Sequence, residues 1–114
     1  MKYTLDAENK KVGRVATAAA TLLMGKNTTE YVRNAIPNVQ VEIINAAKAD
    51  ISLKKQAQKL KSRYTTYPSG IITPTVAHVI EKKGHEELFR LAIYGMLPSN
   101  KLRSRMMNNL KISE

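Results

Sequence analysis

From Val12 to Leu23 the apolar residues Val12, Val15, Ala16, Ala19, Leu22 and Leu23 recur at helical spacing, so a helix there owns one apolar face that must be covered. Alanine filling raises the propensity of this segment. Gly25 stands just past the last apolar residue, where a left-handed residue ends a helix cheaply. On both sides the period changes. Residues 2–5 are β-compatible, and in residues 39–46 Val39, Val41 and Ile43 alternate with Gln40 and Glu42 before Ile44. A chain that switches between periods in this way calls for helices laid over a small sheet.

Beyond residue 46 the pattern is less regular. Residues 26–38 read as a loop closed by Pro37-Asn38, and residues 48–58 leave helix and irregular structure both open. In residues 59–64, Lys59, Lys61 and Arg63 alternate with Leu60, Ser62 and Tyr64, which as a strand puts three cations on one face and Leu60 with Tyr64 on the other. Residues 65–70 carry loop chemistry. Thr73-Pro74 suggests an N-cap with proline at the first helical position, followed by Val76, Val79 and Ile80 on an apolar face and by Gly84 as the stop. A second helix would turn Leu88, Leu91, Ala92 and Met96 inward and end at Gly95 and Pro98. A last helix from Ser99 would carry Leu102, Met106 and Leu110, with Lys101 and Arg105 on a different face. Strand, helix, strand, strand and then helices predict an α/β fold in one domain, residues 1–114.

The charge balance points to a polyanionic partner. Nineteen Lys and Arg against nine Asp and Glu leave a net charge of +10, which a compact state holds against its own repulsion. The cations are also segregated. Lys54, Lys55, Lys59, Lys61 and Arg63 lie between Asp50 and Glu81 with no acid among them, and Arg90, Lys101, Arg103, Arg105 and Lys111 lie likewise between Glu87 and Glu114. A surface tuned only for solubility intersperses the two signs; this one suits nucleic acid. Lys10, Lys11 and Arg14 crowd the start of the first helix, where cations oppose the helix dipole and an anion would be welcome.

Other chemistries fit poorly. There is no Cys, so no disulfide framework and no thiolate metal site. MKYTLDAENK brings acids at once and lacks the apolar core of a signal peptide, and no apolar run approaches the ~20 residues of a membrane span. The expectation is a cytoplasmic protein. Gly25-Lys26-Asn27-Thr28 resembles a phosphate loop only superficially, because Ala20 and Asn27 occupy positions that need Gly and Ser or Thr. His78 and His85 lack ligand partners at metal spacing. No Ser sits in a nucleophile elbow, and Glu86-Glu87 suit a helix start. No enzyme, cofactor or small-molecule substrate is expected.

Four stretches together resemble the bacterial large-subunit ribosomal protein L-thirteen family. DAENKKVGRVATAAATLLMGK at 6–26 is similar to its first helix, and VEIINA at 41–46 to its central strand with the INA ending. Tyr67-Pro68-Ser69-Gly70 is similar to its YPGG loop, and AIYGMLPSNKLRSRMMNNLKI at 92–112 to its signature AVxGMLPxNxLGRxMxxxLKV. The resemblance implies a three-layer α/β/α fold with a small, mostly parallel four-stranded sheet. It further implies binding to large-subunit ribosomal RNA early in subunit assembly, beside neighbouring ribosomal proteins, without catalysis or cofactor. The chain departs from the pattern at Thr66 and Ser69, where the family commonly has glycine, at Tyr64, where it has histidine, and at Arg103, where it often has glycine. Many relatives also continue past the equivalent of Glu114 with a tail. A free-standing RNA-binding translational regulator and a small nucleotide-binding enzyme are the rival readings.

Three groups of side chains become the candidate RNA contacts. The first is Lys10, Lys11, Arg14 and Lys26. The second is Lys54, Lys55, Lys59, Lys61 and Arg63 with Tyr64 and Tyr67. The third is Lys101, Arg103, Arg105 and Lys111. Their cations neutralise phosphates, and the tyrosines offer faces on which unpaired bases stack.

Overall fold

In a computed structural model that describes residues 1–60 and 62–114, the chain opens with β1 (Lys2–Asp6), crosses through α1 (Val12–Met24) and returns parallel as β2 (Gln40–Ile44). A 3₁₀ turn at Ala46–Lys48 and the short α2 (Leu53–Gln56) follow, then β3 (Arg63–Tyr64) and β4 (Ile71–Ile72). α3 (Val76–Met96) and α4 (Leu102–Met107) lead to β5 (Leu110–Ile112), which pairs parallel with the other side of β2. The sheet order is β1-β2-β5, all parallel, and β3 and β4 form a separate antiparallel pair. The resemblance implies four strands in the sheet; the structure has three. Of the strand expected at 59–64, Arg63–Tyr64 is strand and pairs with β4, and Lys59 bridges to Thr75.

The register assigns the two faces. Tyr3, Val41 and Leu110 stand in one row and Leu5, Ile43 and Ile112 in the next. These rows join one core cluster with Val15, Ala16, Ala19 and Leu23 of α1, Phe89 and Ile93 of α3, and Met106 and Met107 of α4. Alanines on the buried face of α1 let neighbouring backbone approach closely, which suits the packing of α1 on α3. The row on the opposite face is Thr4, Glu42 and Lys111, with Lys2 beside it. Lys2, Thr4 and Lys111 are exposed, so the helical cover lies over the apolar face and this face is polar and open there. Glu42 accepts from Lys2 at 2.9 Å and lies 4.0 Å from Lys111.

The carboxyl ends of the strands are tied together. Asp6 accepts from the Asn45 side chain at 3.0 Å and from the Glu8 backbone N–H at 2.9 Å. The Ala7 N–H donates to the Ile44 carbonyl and the Ala46 N–H to the Ser113 carbonyl. Ala7 and Ala46 have no exposed surface, which explains small residues after Asp6 and Asn45.

Several sequence expectations move by a residue or two. Gly25 ends α1 in the left-handed region as expected, with φ 77°. Leu23 is the fully buried residue at that end, whereas Leu22 is half-buried. The N-cap of α3 is Thr75, which accepts from the His78 N–H, not Thr73. Gly84 breaks α3 with φ 80° and ψ 178°, and the Glu114 side chain accepts from the His85 N–H at 2.5 Å, capping the second half. That half turns Leu88, Phe89 and Ile93 inward; Leu91 and Met96, expected inside, are exposed. Leu110 leaves the last helix and becomes the first residue of β5, a strand the helical reading of 102–110 concealed.

Two measurements check this packing. Leu23→Ala should cost roughly 2–5 kcal/mol in denaturant unfolding, and Leu22→Ala clearly less. Acid titration checks the polar contacts. Hydrogen bonds from Asn45 and the Glu8 backbone hold the Asp6 carboxyl below the usual range, and the Lys2 ammonium does the same for Glu42. A carboxyl lowered on folding contributes stability above its unfolded pKa and loses it as pH falls through the folded one. Stability should therefore be flat near neutrality and decline below the ordinary carboxylate range. Glu42→Gln should shallow that decline.

Candidate nucleic-acid interface

The segments leaving the carboxyl ends of β1 and β2 wall a cleft of about 940 Å³. Lys11 and Gly13 come from the first, Asp50 and Lys55 from the second, and Leu91, Tyr94, Met96 and Arg103 close it from the far side. One member of each expected basic group is thus brought to one place: Lys11, Lys55 and Arg103. Lys11 binds Asp50 at 2.7 Å, so the cation crowding at the start of α1 is answered partly from within the chain. Lys10 and Arg14 lie exposed beside it.

Arg103 is half-buried and fixed. Its guanidinium lies 3.9 Å over the Tyr94 ring, and its nitrogens donate to the Tyr94 hydroxyl at 3.1 Å and to the Ser99 hydroxyl at 3.2 Å. Sequence reasoning did not single out Tyr94. The available signal was an aromatic on α3 one loop before a cation at a position where glycine is common.

The remaining candidates scatter. Lys26 follows the far end of α1, about 20 Å from Lys11 at 1.5 Å per residue. Lys111 belongs to the polar sheet face with Glu42. Lys101 and Arg105 are exposed around α4, and Lys54 is exposed on α2. The first and third expected groups are therefore not single patches.

Arg63, Tyr64 and Tyr67 sit on an arm. Lys59 bridges to Thr75 at its base, the Leu60 N–H donates to the Pro74 carbonyl, and β3 and β4 run outward from there. Lys61, the middle cation of the face expected at 59–64, lies outside the described residues; Arg63 and Tyr64 are both exposed on the same two-residue strand. Tyr67 is 74% exposed and Ile71 69%, so the arm presents aromatic and aliphatic surface together. The turn holds Thr66 at φ 72° and Ser69 at φ 61°, the left-handed region, at the two places where the resembling loop has glycine. Gly70 is required for space: a Cβ there would meet the Thr65 hydroxyl and sit 2.8 Å from the Tyr67 carbonyl oxygen.

Comparison with known proteins decides the family. The family model for ribosomal protein L13 matches residues 1–114. The chain belongs to the ribosomal protein L13 family. Relatives named large ribosomal subunit protein uL13 include one from Geobacter sulfurreducens, 41% identical over 110 residues, which cover 96% of this chain and 76% of the relative. One from Clostridioides difficile is 40% identical with the same coverage, and one from Trichodesmium erythraeum is 34% identical over 96% of this chain and 72% of the relative. An L13 protein is a structural component rather than an enzyme. Among the described residues no helix is long and apolar enough to cross a membrane.

Gly70→Ala should break the arm's turn and leave the core alone. Amide exchange at Thr65, whose N–H donates to the Gly70 carbonyl, should accelerate, while the melting temperature moves little.

Proposed function

We propose that this L13 family member is a constituent of the large ribosomal subunit in the cytoplasm, where it binds large-subunit ribosomal RNA, supports early assembly and meets neighbouring ribosomal proteins. The observation that carries this reading is the family match over the whole chain. The charge and the surface agree with it. A net charge of +10 seeks a polyanion, and the described cations on the arm, around α4 and at the cleft are largely without acidic partners.

In this reading the contacts divide by chemistry. Lys10, Lys11, Arg14, Lys26, Lys54, Lys55, Lys59, Lys61, Lys101, Arg105 and Lys111 act on phosphates, fixing position rather than reading sequence. Arg63 with Tyr64 and Tyr67 forms an arm that reaches into folded RNA, where the tyrosines stack on unpaired bases. The exposed Ile71 and Ile72 offer a surface for a neighbouring protein or a closely fitted RNA backbone. A three-layer α/β/α arrangement of the chain belongs to the same reading.

The decisive experiment is sedimentation. The native protein should travel with large subunits in a gradient and persist there through moderate salt; migration only as free protein would reject the reading. Binding to ribosomal RNA should also weaken steeply with salt. With about 6–10 phosphates neutralised, affinity falls roughly 10³–10⁵-fold between 50 and 200 mM salt. Changing Lys59, Lys61 and Arg63 together to Gln should flatten that slope by about one unit or slightly less for each phosphate no longer neutralised, with little change in the melt.

A further inference from the structure

We propose that Tyr94 and Arg103, in the lining of the cleft, form a preformed stacking subsite for one unpaired ribonucleotide, with Lys55 and Lys11 placed to meet its flanking phosphates. The proposal rests on the RNA-binding reading above and adds a second contact point, separate from the arm. Three observations support it. The first is geometric. Arg103 is held over the Tyr94 ring by its stack and by two hydrogen bonds, so its plane is oriented before any ligand arrives. A guanidinium has five donors, and among the described residues no carboxylate pairs with this one.

The second observation is unmet apolar surface. Leu91, Tyr94 and Met96 are each more than 40% exposed, yet all three line the same cleft. A base presents a flat face that covers such surface while its edge remains available for hydrogen bonds. The third is charge complementarity. Lys11, Lys55 and Arg103 border the cleft with one acid, Asp50, and that acid already holds Lys11. The occupant is therefore anionic as well as planar. The cleft volume of about 940 Å³ admits a nucleotide but not a duplex. Bases inside an A-form helix are already stacked and show no free face, so the subsite selects unpaired RNA. An acidic protein segment would satisfy the cations but would bring no flat base to cover Leu91, Tyr94 and Met96.

The test uses the full chain with two charge-conserving variants, Tyr94→Leu and Arg103→Lys. The probes are a mixed-sequence single-stranded pentaribonucleotide, the same sequence held as a duplex within the stem of a longer hairpin, and large-subunit ribosomal RNA transcribed with 5-iodouridine. The wild-type chain should bind the single strand in preference to the duplex by fluorescence anisotropy. Each variant should weaken single-strand binding by roughly five- to 150-fold, the range of a lost base stack, while melting as the wild type does. Irradiation of the iodouridine complex should cross-link the peptide that contains Tyr94. Unchanged single-strand binding in both variants, equal binding of the duplex, or cross-links confined to the Tyr64–Tyr67 arm would each overturn the subsite. In those cases salt-dependent binding of ribosomal RNA would persist and leave the broader reading standing. Loss of that binding in the wild-type chain would instead reject both.

Discussion

Both ladders of the main sheet run through β2, and everything else is arranged to make that possible. A parallel partner cannot be reached by a tight turn, so β1 must connect to β2 through α1, and β2 to β5 through most of the remaining chain. The crossovers bring their helices onto one face, where Val41 and Ile43 are buried against α1, α3 and α4. They also send the outgoing segments of β1 and β2 to the same end. Lys11 and Asp50 meet there as a consequence of topology, and the cleft opens between those segments and the second half of α3.

The distribution of charge follows from the same layout. The polar sheet face answers part of its charge internally, since Glu42 pairs with Lys2 and lies 4.0 Å from Lys111. Cations on the arm and around α4 have few acids within reach, so their field is directed outward. The chain thus presents unpaired positive charge on surfaces turned away from its own core. Binding a polyanion then costs little internal packing.

What was legible in the sequence tracks how much each signal depends on neighbours. α1 was readable from residue spacing because its apolar face, its alanines and Gly25 all act locally. β2 was readable from alternation, although its end at Ile44 depends on Asn45 taking a left-handed conformation at φ 58°. β5 was not readable: Leu110 fits the helical spacing of Leu102 and Met106, and only pairing with Val41 makes it a strand. The inward face of α3 was misread at Leu91 and Met96 because Phe89 and Ile93 fill the core once Gly84 has broken and rotated the helix. The basic groups were legible as composition. Their assembly was not, because whether Lys11, Lys55 and Arg103 share a cleft depends on how three separate segments pack together.

The arm shows where this fold places strain and why that location is tolerable. A residue other than glycine in the left-handed region costs about 1–2 kcal/mol, and Thr66 and Ser69 both sit there. A two-stranded pair exposed on both faces is marginal in water on its own, and β3 and β4 have just such a pattern. Strain of this kind inside the core would compete directly with the small net stability of a domain. On an arm that joins the body at Lys59, Leu60 and Thr75, it loosens only the arm. In the proposed reading an arm with exposed Tyr64, Tyr67 and Ile71 gains its definition from what it binds, as ordering segments do when the ordering cost is met by the interface. The rigid Tyr94–Arg103 pair is the opposite case, fixed by its own hydrogen bonds and stack before a partner arrives. In the proposed reading the two surfaces divide the binding task, one adaptable and one preorganised.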